Sequence, residues 1–334
     1  MKTITKEISQ NKKVIVRLDL DVPFDDQGNI SDLTRLESAL PTLELLNESA
    51  SQIIIIGHLG RPKGKVDSTF TLKPVSEKLA ELLGQSIEFI ETGSPRAKIS
   101  MLENLRFDPR EEANDENYAK ELSSLGEVFV FEAFAVSHRA ATSTVAITKL
   151  LPSFAGLRVA EEVETLTATL KNPEHPFLVI LGGAKIETKL PMIQNMEPTA
   201  DNIFVGGKLP YEINQQGLTF SNKVTVAKMN ETGFDISLEA ALQAVELINK
   251  AKLIVWNGPL GKFEDEDQRK GTKIIAEAVA NSSAKKITGG GDTIAAMELF
   301  GIKDKIDFIS VGGGAMLEFL SGKALPALKA LEDI

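Results

Sequence analysis

The chain has 334 residues, 43% of them hydrophobic and 25% charged, the balance of an ordinary globular protein and length enough for two separate cores. A formal net charge of −10 argues against nucleic acid or an anionic membrane as the main partner. The absence of cysteine excludes disulfides, thiolate nucleophiles and Cys-ligated zinc, and the only histidines, His58, His138 and His175, are too scattered to mark a metal centre. The first residues, MKTITKEISQNKK, lack an apolar signal core and no apolar run approaches membrane length, so the expectation is a cytoplasmic protein.

In chain order, short apolar runs alternate with amphipathic helical stretches, the pattern of a largely parallel α/β sheet. Strands are predicted at 14–16, 53–56, 87–90, 99–102 and 128–131, and then at 177–181, 202–205, 224–226, 253–256, 286–288 and 308–311. The spacing predicts a helix over Lys73–Leu83 closed by Gly84, and another from an Asn114 cap through Tyr118, Leu122 and Leu125 to Gly126. A third helix, capped by Ser237, is expected to turn Leu238, Leu242 and Val245 inward. The break between halves is expected at 152–156, succeeded by a connecting helix over 159–170. A long connector between two ligand half-sites suggests domains that close on each other and expel water before reaction.

The residues just past each strand separate the halves. In an open α/β sheet, ligands sit beyond the carboxyl ends of the strands. The first half carries cations and a few acids there: Arg17-Leu18-Asp19, His58-Leu59-Gly60-Arg61, Arg106 and His138-Arg139. The second half carries glycines: Gly182-Gly183, Gly206-Gly207, Asn257-Gly258-Pro259, Gly289-Gly290-Gly291-Asp292-Thr293 and Gly312-Gly313-Gly314. One half suits a compact, highly charged anion, and the other a phosphate-bearing ligand lying on backbone.

The stretch 177–189, FLVILGGAKIETK, is the clearest case. An apolar strand ends in two glycines, and Ile186, Leu190 and Ile193 then share one helical face. Glycine lets backbone approach a ligand, and a helix N-terminus offers free N–H donors. Lys185 and Lys189, at i and i+4, reach the same side of the turn. Pro191 predicts that this helix kinks or begins late, near Thr188.

Phosphoryl transfer needs no protein nucleophile, only aligned substrates and positive charge on the moving group. The chain has no convincing Ser–His–Asp arrangement and no HExxH. Asp292 is a candidate ligand for a phosphate-bound Mg²⁺, or the N-cap of a helix over 293–299. Glu264 is either a hydrogen-bond acceptor for ribose hydroxyls or solvated surface. Neither GxxxxGK[ST] nor a GxGxxG after a strand occurs, so a P-loop or simple Rossmann site lacks support.

Taken together, RLDLDVP at 17–23, ISDLTR at 30–35, HLGRPKG at 58–64, ENLRF at 103–107 and AFAVSHRA at 133–140 resemble the phosphoglycerate kinase family. So do LGGAKIETK at 181–189, IVWNGPLGKFE at 254–264, GGGDT at 289–293 and VGGGAMLE at 311–318. The resemblance implies an α/β fold of two doubly wound, Rossmann-like parallel-sheet domains, joined by a helix across a deep cleft. Residues 1–155 would bind phosphoglycerate, 156–314 would bind nucleotide and include the connecting helix 159–170, and 315–334 would return to the first domain. The implied reaction is reversible transfer between 1,3-bisphosphoglycerate with ADP and 3-phosphoglycerate with ATP, assisted by Mg²⁺. The expected partners are these small molecules alone, with no nucleic acid or membrane, and the expected state is a monomer.

Carried over by motif, Asp19 and Asp21 would contact the glycerate hydroxyl end, and Arg35 the carboxyl phosphate. His58, Leu59, Gly60, Arg61, Arg106 and Arg139 would hold the remote phosphate. Lys185 and Lys189 would neutralise the nucleotide phosphates and the transferred group, with Gly183, Ala184, Gly206 and Gly207 on the adenine side. Asn257, Pro259, Gly290, Gly291 and Thr293 would lie by the nucleotide phosphates, Glu264 by the ribose, and Asp292 on the metal. Gly312 and Gly313 would supply N–H donors to the transferred group.

The family's usual Asn is Asp21 here, its Asn-Asp is Phe131-Glu132, and Ala141 stands where a second histidine is common. The chain is shorter between Arg61 and Glu103, and again between Gly207 and Leu253 on the adenine side. The alternatives are a non-catalytic relative that binds phosphoglycerate or nucleotide as a sensor, and a kinase acting on another small acid.

Overall fold

Runs of valine, isoleucine and phenylalanine build two six-stranded sheets in a computed structural model that describes residues 1–332. The chain divides into two compact units, one of Met1–Glu164 with Ala324–Ile334, the other of Thr165–Lys323.

In the first unit the strands are β1 (Lys13–Leu18), β2 (Gln52–Ile56), β3 (Glu88–Ile90), β4 (Ile99–Leu102), β5 (Val128–Glu132) and β6 (Ser153–Ala155). All pair in parallel, in the order β3-β4-β2-β1-β5-β6. Strands β1, β2 and β5 are buried along almost their whole length, as expected where both faces of a parallel sheet are covered. Strand β1 pairs Val14 with Ile53 of β2 on one side and with Val128 of β5 on the other. The winding direction reverses there, so the carboxyl ends of β1 and β5 open a crevice.

The second unit repeats the plan with β7 (Phe177–Leu181), β8 (Asn202–Val205), β9 (Val224–Val226), β10 (Leu253–Asn257), β11 (Lys285–Gly289) and β12 (Phe308–Ser310). Their order is β12-β11-β10-β7-β8-β9, again all parallel. The reversal falls between β7 and β10, the strands that end in Gly182-Gly183 and Asn257-Gly258-Pro259. Each unit has its own apolar cluster beneath its sheet.

Every predicted strand forms, and five local expectations are corrected. The segment 152–156 contains strand β6, held by pairing of Phe129 with Ser153. The next helix, Leu157–Lys171, begins earlier than expected because Glu132 and Thr42 cap it. The Glu132 carboxylate accepts the N–H groups of Arg158 at 2.9 Å and Val159 at 3.0 Å, and the Thr42 hydroxyl accepts that of Leu157 at 2.8 Å. Helix Glu116–Ser123 is capped by Asp115, whose carboxylate takes the Asn117 and Tyr118 N–H groups, while Asn114 lies outside at φ 54°.

Helix Leu238–Lys250 does begin at a Ser237 cap, but its inner face is Ala240, Ala241, Ala244 and Ile248. Leu238 and Leu242 are 62% and 54% exposed, because a stripe of small side chains seats this helix on the core and rotates the leucines outward. Helix Ile186–Met196 contains Pro191 yet starts ahead of Thr188, since the Glu212 carboxylate takes the Ile186 N–H at 2.5 Å and secures the first turn.

Candidate functional site

In the first unit the crevice beside β1 is lined by charged side chains that hold one another. Asp19 is 4% exposed and burial pushes its carboxyl pKa up, with Arg35 the strongest influence in the other direction. Arg35, at the start of helix Thr34–Ser49, donates through Nη1 to Asp19 Oδ1 at 3.2 Å and to the Asp21 carbonyl at 2.6 Å. The second Asp19 oxygen, Oδ2, is buried with no partner among the described residues. Asp21 Oδ1 accepts the Gly60 N–H at 2.8 Å, and its Oδ2 lies 3.8 Å from His58 Nε2 and 3.9 Å from Arg35. Gly60, at φ 62°, turns beneath the Phe70 ring, where a side chain would collide.

Arg106 is 7% exposed and donates to the Gly60 carbonyl at 2.8 Å. With Arg139 and Arg17 it lines a pocket of about 270 Å³ that also contains Glu111, Glu112 and Thr144. Leu59 is buried, its carbonyl taken by Asn104 Nδ2 at 2.7 Å. Arg61 is exposed and does not line this pocket. His58 is 2% exposed, with Nδ1 at 2.8 Å from Arg17 Nη2. Burial first, then Arg17, Arg106, Arg35 and Arg139, hold its pKa well below the ordinary imidazole value. The sequence reading counted Arg17 among the strand-end cations but gave it no role of its own, although a charged residue inside a buried strand is itself a signal.

In the second unit the site is mostly backbone. Gly183, Ala184, Gly207, Pro259 and Asp292 line a pocket of about 350 Å³, together with Lys208, Gly233, Phe234, Gly261 and Lys262, which sequence reasoning missed. Its floor is three interlocked turns. A Cβ on Gly207 would lie 2.7 Å from the Gly183 carbonyl oxygen and 2.8 Å from its nitrogen, and Gly182 and Gly258 exclude side chains from each other in the same way. Gly206 is buried under this floor against Leu260 and Ile236.

Lys189 is 7% exposed, and its ammonium donates to Asn257 Oδ1, while Asn257 Nδ2 donates to the Gly289 carbonyl at 2.6 Å. Burial lowers the Lys189 pKa to about 8, with Asp292 pulling the other way. Thr293 Oγ1 accepts the Gly258 N–H at 2.7 Å and donates to the Gly289 carbonyl at 3.1 Å. Gly290 takes the N-cap of helix Gly291–Leu299, so Asp292 sits exposed in the first turn rather than at the cap. Gly313, which opens helix Gly313–Leu320 after an N-cap at Gly312, packs on the Gly290 backbone, so the two helix starts touch. Lys185 is exposed at the N-cap of its helix, Gly291 faces open space, and Glu264 is exposed outside the pocket lining.

Among the described residues no group of three or more acidic or histidine side chains converges to hold a metal alone. A lone carboxylate in the first turn of a helix fits Mg²⁺ that keeps waters and shares substrate phosphates. Nor, among the described residues, is any helix long and apolar enough to cross a membrane.

Two doubly wound parallel sheets, one presenting convergent arginines and the other a glycine floor beside a buried lysine, define a phosphotransferase. A family model described as phosphoglycerate kinase matches residues 4–218 and 211–323. The chain is 37% identical to the phosphoglycerate kinase of Borrelia garinii subsp. bavariensis over 96% of each protein, and 37% identical to that of Finegoldia magna over 99% of each. The solved structure of phosphoglycerate kinase from Coxiella burnetii has a TM-score of 0.85 at 32% identity, covering 97% of each chain. That from Pyrococcus horikoshii OT3 has a TM-score of 0.84 at 29% identity, covering 99% of this chain and 98% of the other. The chain belongs to the phosphoglycerate kinase family. The alignment with the Borrelia protein runs over 379 positions, more than the 334 residues here, so that relative carries segments this chain lacks.

Proposed function

We propose that the chain transfers a phosphoryl group reversibly between 1,3-bisphosphoglycerate with ADP and 3-phosphoglycerate with ATP. The observation that carries this is Lys189: an ammonium buried beside a glycine-lined pocket, bound to an amide oxygen and, among the described residues, to no carboxylate, has its charge in reserve for an anion. The unit of Met1–Glu164 takes the phosphoglycerate, and the unit of Thr165–Lys323 takes the nucleotide. It works as a cytoplasmic monomer on these small molecules, without a nucleic-acid or membrane partner.

On the acceptor side, the unpartnered Oδ2 of Asp19 accepts the glycerate hydroxyl, and Arg35 reaches the carboxylate that attacks. Arg61, Arg106 and Arg139 neutralise the distal phosphate, with His58 and the Leu59-Gly60 turn beside it. On the donor side, the phosphates lie along Gly183-Ala184 and the Gly290-Gly291 helix start, near Lys185, Asn257, Pro259 and Thr293, and the base lies against Gly206-Gly207. Glu264 takes the ribose. Asp292 holds Mg²⁺, which when bound offsets phosphate charge.

Transfer is in line. A carboxylate oxygen of 3-phosphoglycerate bonds to the γ-phosphorus as its bond to the β-bridging oxygen breaks, with no enzyme-bound intermediate. Lys189 and the Gly313 N–H group stabilise the equatorial oxygens, while the buried Gly312 N–H is turned to Ser310 Oγ at 3.3 Å and shapes the helix start. Because donor and acceptor belong to different units, the reaction requires the units to close and exclude water. Purified protein given Mg-ATP and 3-phosphoglycerate, with the acyl phosphate trapped, is expected to turn over, and Lys189→Ala to lose turnover. Folded protein without turnover would overturn the proposal and favour the non-catalytic alternative.

A further inference from the structure

A directional chain of hydrogen bonds runs behind the arginine pocket of the first unit. The Glu111 carboxylate, buried to 2% exposure, takes both the Ser143 hydroxyl at 2.5 Å and the Ser143 N–H at 3.1 Å. With its proton committed to Glu111, the Ser143 oxygen accepts from Arg17 Nε at 2.9 Å. Arg17 is 2% exposed, and its other nitrogens go to the Leu18 carbonyl and, at 2.8 Å, to His58 Nδ1.

Arginine has five donors and no acceptor, and it stays protonated in proteins. The lone pair of the bond to His58 must therefore come from Nδ1, which leaves Nε2 as the only ring nitrogen able to carry the proton. We propose that Arg17 is a positioning residue that locks His58 as the neutral Nε2–H tautomer, so that the phosphate end of the site offers one fixed, uncharged donor among its arginines. The consequence for binding rests on phosphoglycerate lying in this unit, as proposed for the kinase reaction, whereas the tautomer does not.

A second proton on His58 has nowhere to go. It would have to enter at Nδ1, where it would face the Arg17 guanidinium and break the bond to it. The groups facing the ring from every neighbouring element oppose it as well. They are Arg17 on β1, Arg35 on helix Thr34–Ser49, Arg106 on the Leu105–Phe107 turn and Arg139 beyond the Phe134–Val136 turn, with the Asp21 carboxylate 3.8 Å from Nε2 as an opposing charge and Asp19 and Glu111 engaged by Arg35 and Ser143. An imidazole held this way makes the same hydrogen bond throughout the range in which histidine ordinarily titrates. The anion is then bound without proton uptake at this position.

The test uses the full chain, uniformly ¹⁵N-labelled, with long-range ¹H–¹⁵N correlation of the imidazoles and His58 identified by difference from His58→Gln. Wild type is expected to show Nδ1 unprotonated and Nε2 protonated, unchanged between about pH 5 and 8. A His58 that carries its proton on Nδ1, or gains a second one in that range, overturns the proposal without any variant, so misfolding cannot shelter it. In Arg17→Met, His58 is expected to begin titrating. The dissociation constant of 3-phosphoglycerate is expected to rise roughly tenfold over wild type near pH 8, and this ratio to shrink toward pH 6 as His58 gains charge. Arg17→Lys, which keeps a donor, is expected to restore the wild-type spectrum. Equal disturbance in both variants would make Arg17 a packing residue and overturn the assignment. Spectrum and binding constant need no turnover, so failure here is distinct from failure of the kinase reaction.

Discussion

The two proposed half-sites would each hold a polyanion, and they are built of opposite materials. In the first unit, most of the charge is held by side-chain bonds, Arg35 with Asp19, Arg106 with the Gly60 carbonyl, Arg17 with His58 and Ser143, and Asp19 Oδ2 is left open. In the second, backbone forms most of the surface, Lys208, Lys262 and Asp292 bring charge to its lining, and the buried charge is a lysine, Lys189, resting on an amide oxygen. A site of paired charges is stable on its own and loses stability when a member is removed. A site with an unpaired buried charge is stabilised only when its ligand arrives.

The largest break in this comparison is expected from Lys189→Met. Turnover should fall by roughly a thousandfold, the scale of losing one donor to the transition state. The folded protein should nevertheless become more stable. With its pKa lowered from 10.5 to about 8, the folded-state lysine resists the proton that the unfolded chain holds up to about pH 10.5. At pH 7 this costs on the order of 3 kcal/mol, which the variant recovers less the value of the broken bond to Asn257. Urea unfolding at pH 7 checks the sign. A destabilised variant would mean that the lysine is not held at a cost.

Next comes Gly207→Ala, at φ 68° and in contact with the Gly183 backbone. It is expected to lower stability by roughly 2–4 kcal/mol and to abolish measurable nucleotide binding, because backbone has to move. Its counterpart, Arg61→Ala on the exposed rim of the other half-site, should weaken 3-phosphoglycerate about tenfold while leaving stability within roughly 0.5 kcal/mol. Calorimetric titration and thermal unfolding of both variants would show whether the contrast holds.

Smaller effects sharpen the picture. His58 has a folded-state pKa well below that of the unfolded chain, so its contribution to stability is present above about pH 6.5 and is lost as pH falls below it. Wild type should therefore lose stability relative to His58→Gln by up to about 1.4 kcal/mol per pH unit below that point, read from urea midpoints. Smallest is Asp21→Asn. The amide oxygen can still accept the Gly60 N–H, and removing a charge beside an anion should tighten 3-phosphoglycerate about threefold at low salt, less at high salt. Weaker binding by that variant would show that the carboxylate itself contacts the ligand.

Strands were legible because a parallel sheet covered on both faces needs continuous apolar runs, as in Ile53–Ile56 and Val128–Phe131. Strand β6, three residues long, was not, since Ser-Phe-Ala shows no period and its pairing with β5 defines it. Charged and glycine motifs at strand ends fall where the structure has two pockets, but sequence could not show that Arg61 and Glu264 lie outside the pocket linings. Phe234 was illegible for another reason. It stands in an aperiodic stretch fixed from a distance, where the buried Asp235 beside it takes the Gly271 N–H at 2.6 Å and the Thr272 hydroxyl at 2.8 Å. The inward face of helix Leu238–Lys250 was misjudged because alanine counts for little in a hydrophobic pattern, yet it permits the closest packing.

The interlocked glycine floor also has an evolutionary reading. Gly182 and Gly258 block each other's side chains through backbone atoms, and Gly207 is blocked by the Gly183 and Pro259 backbone, so no single substitution at these three is reached without damage, and compensating changes must arise together. Variation is confined to the rim, where Lys208, Phe234 and Lys262 border the same pocket. Phe234 is half exposed, so its replacement meets little resistance from the core. With the nucleotide in this pocket as proposed, descendants of this sequence can drift in which base they prefer long before they can drift in how they hold its phosphates.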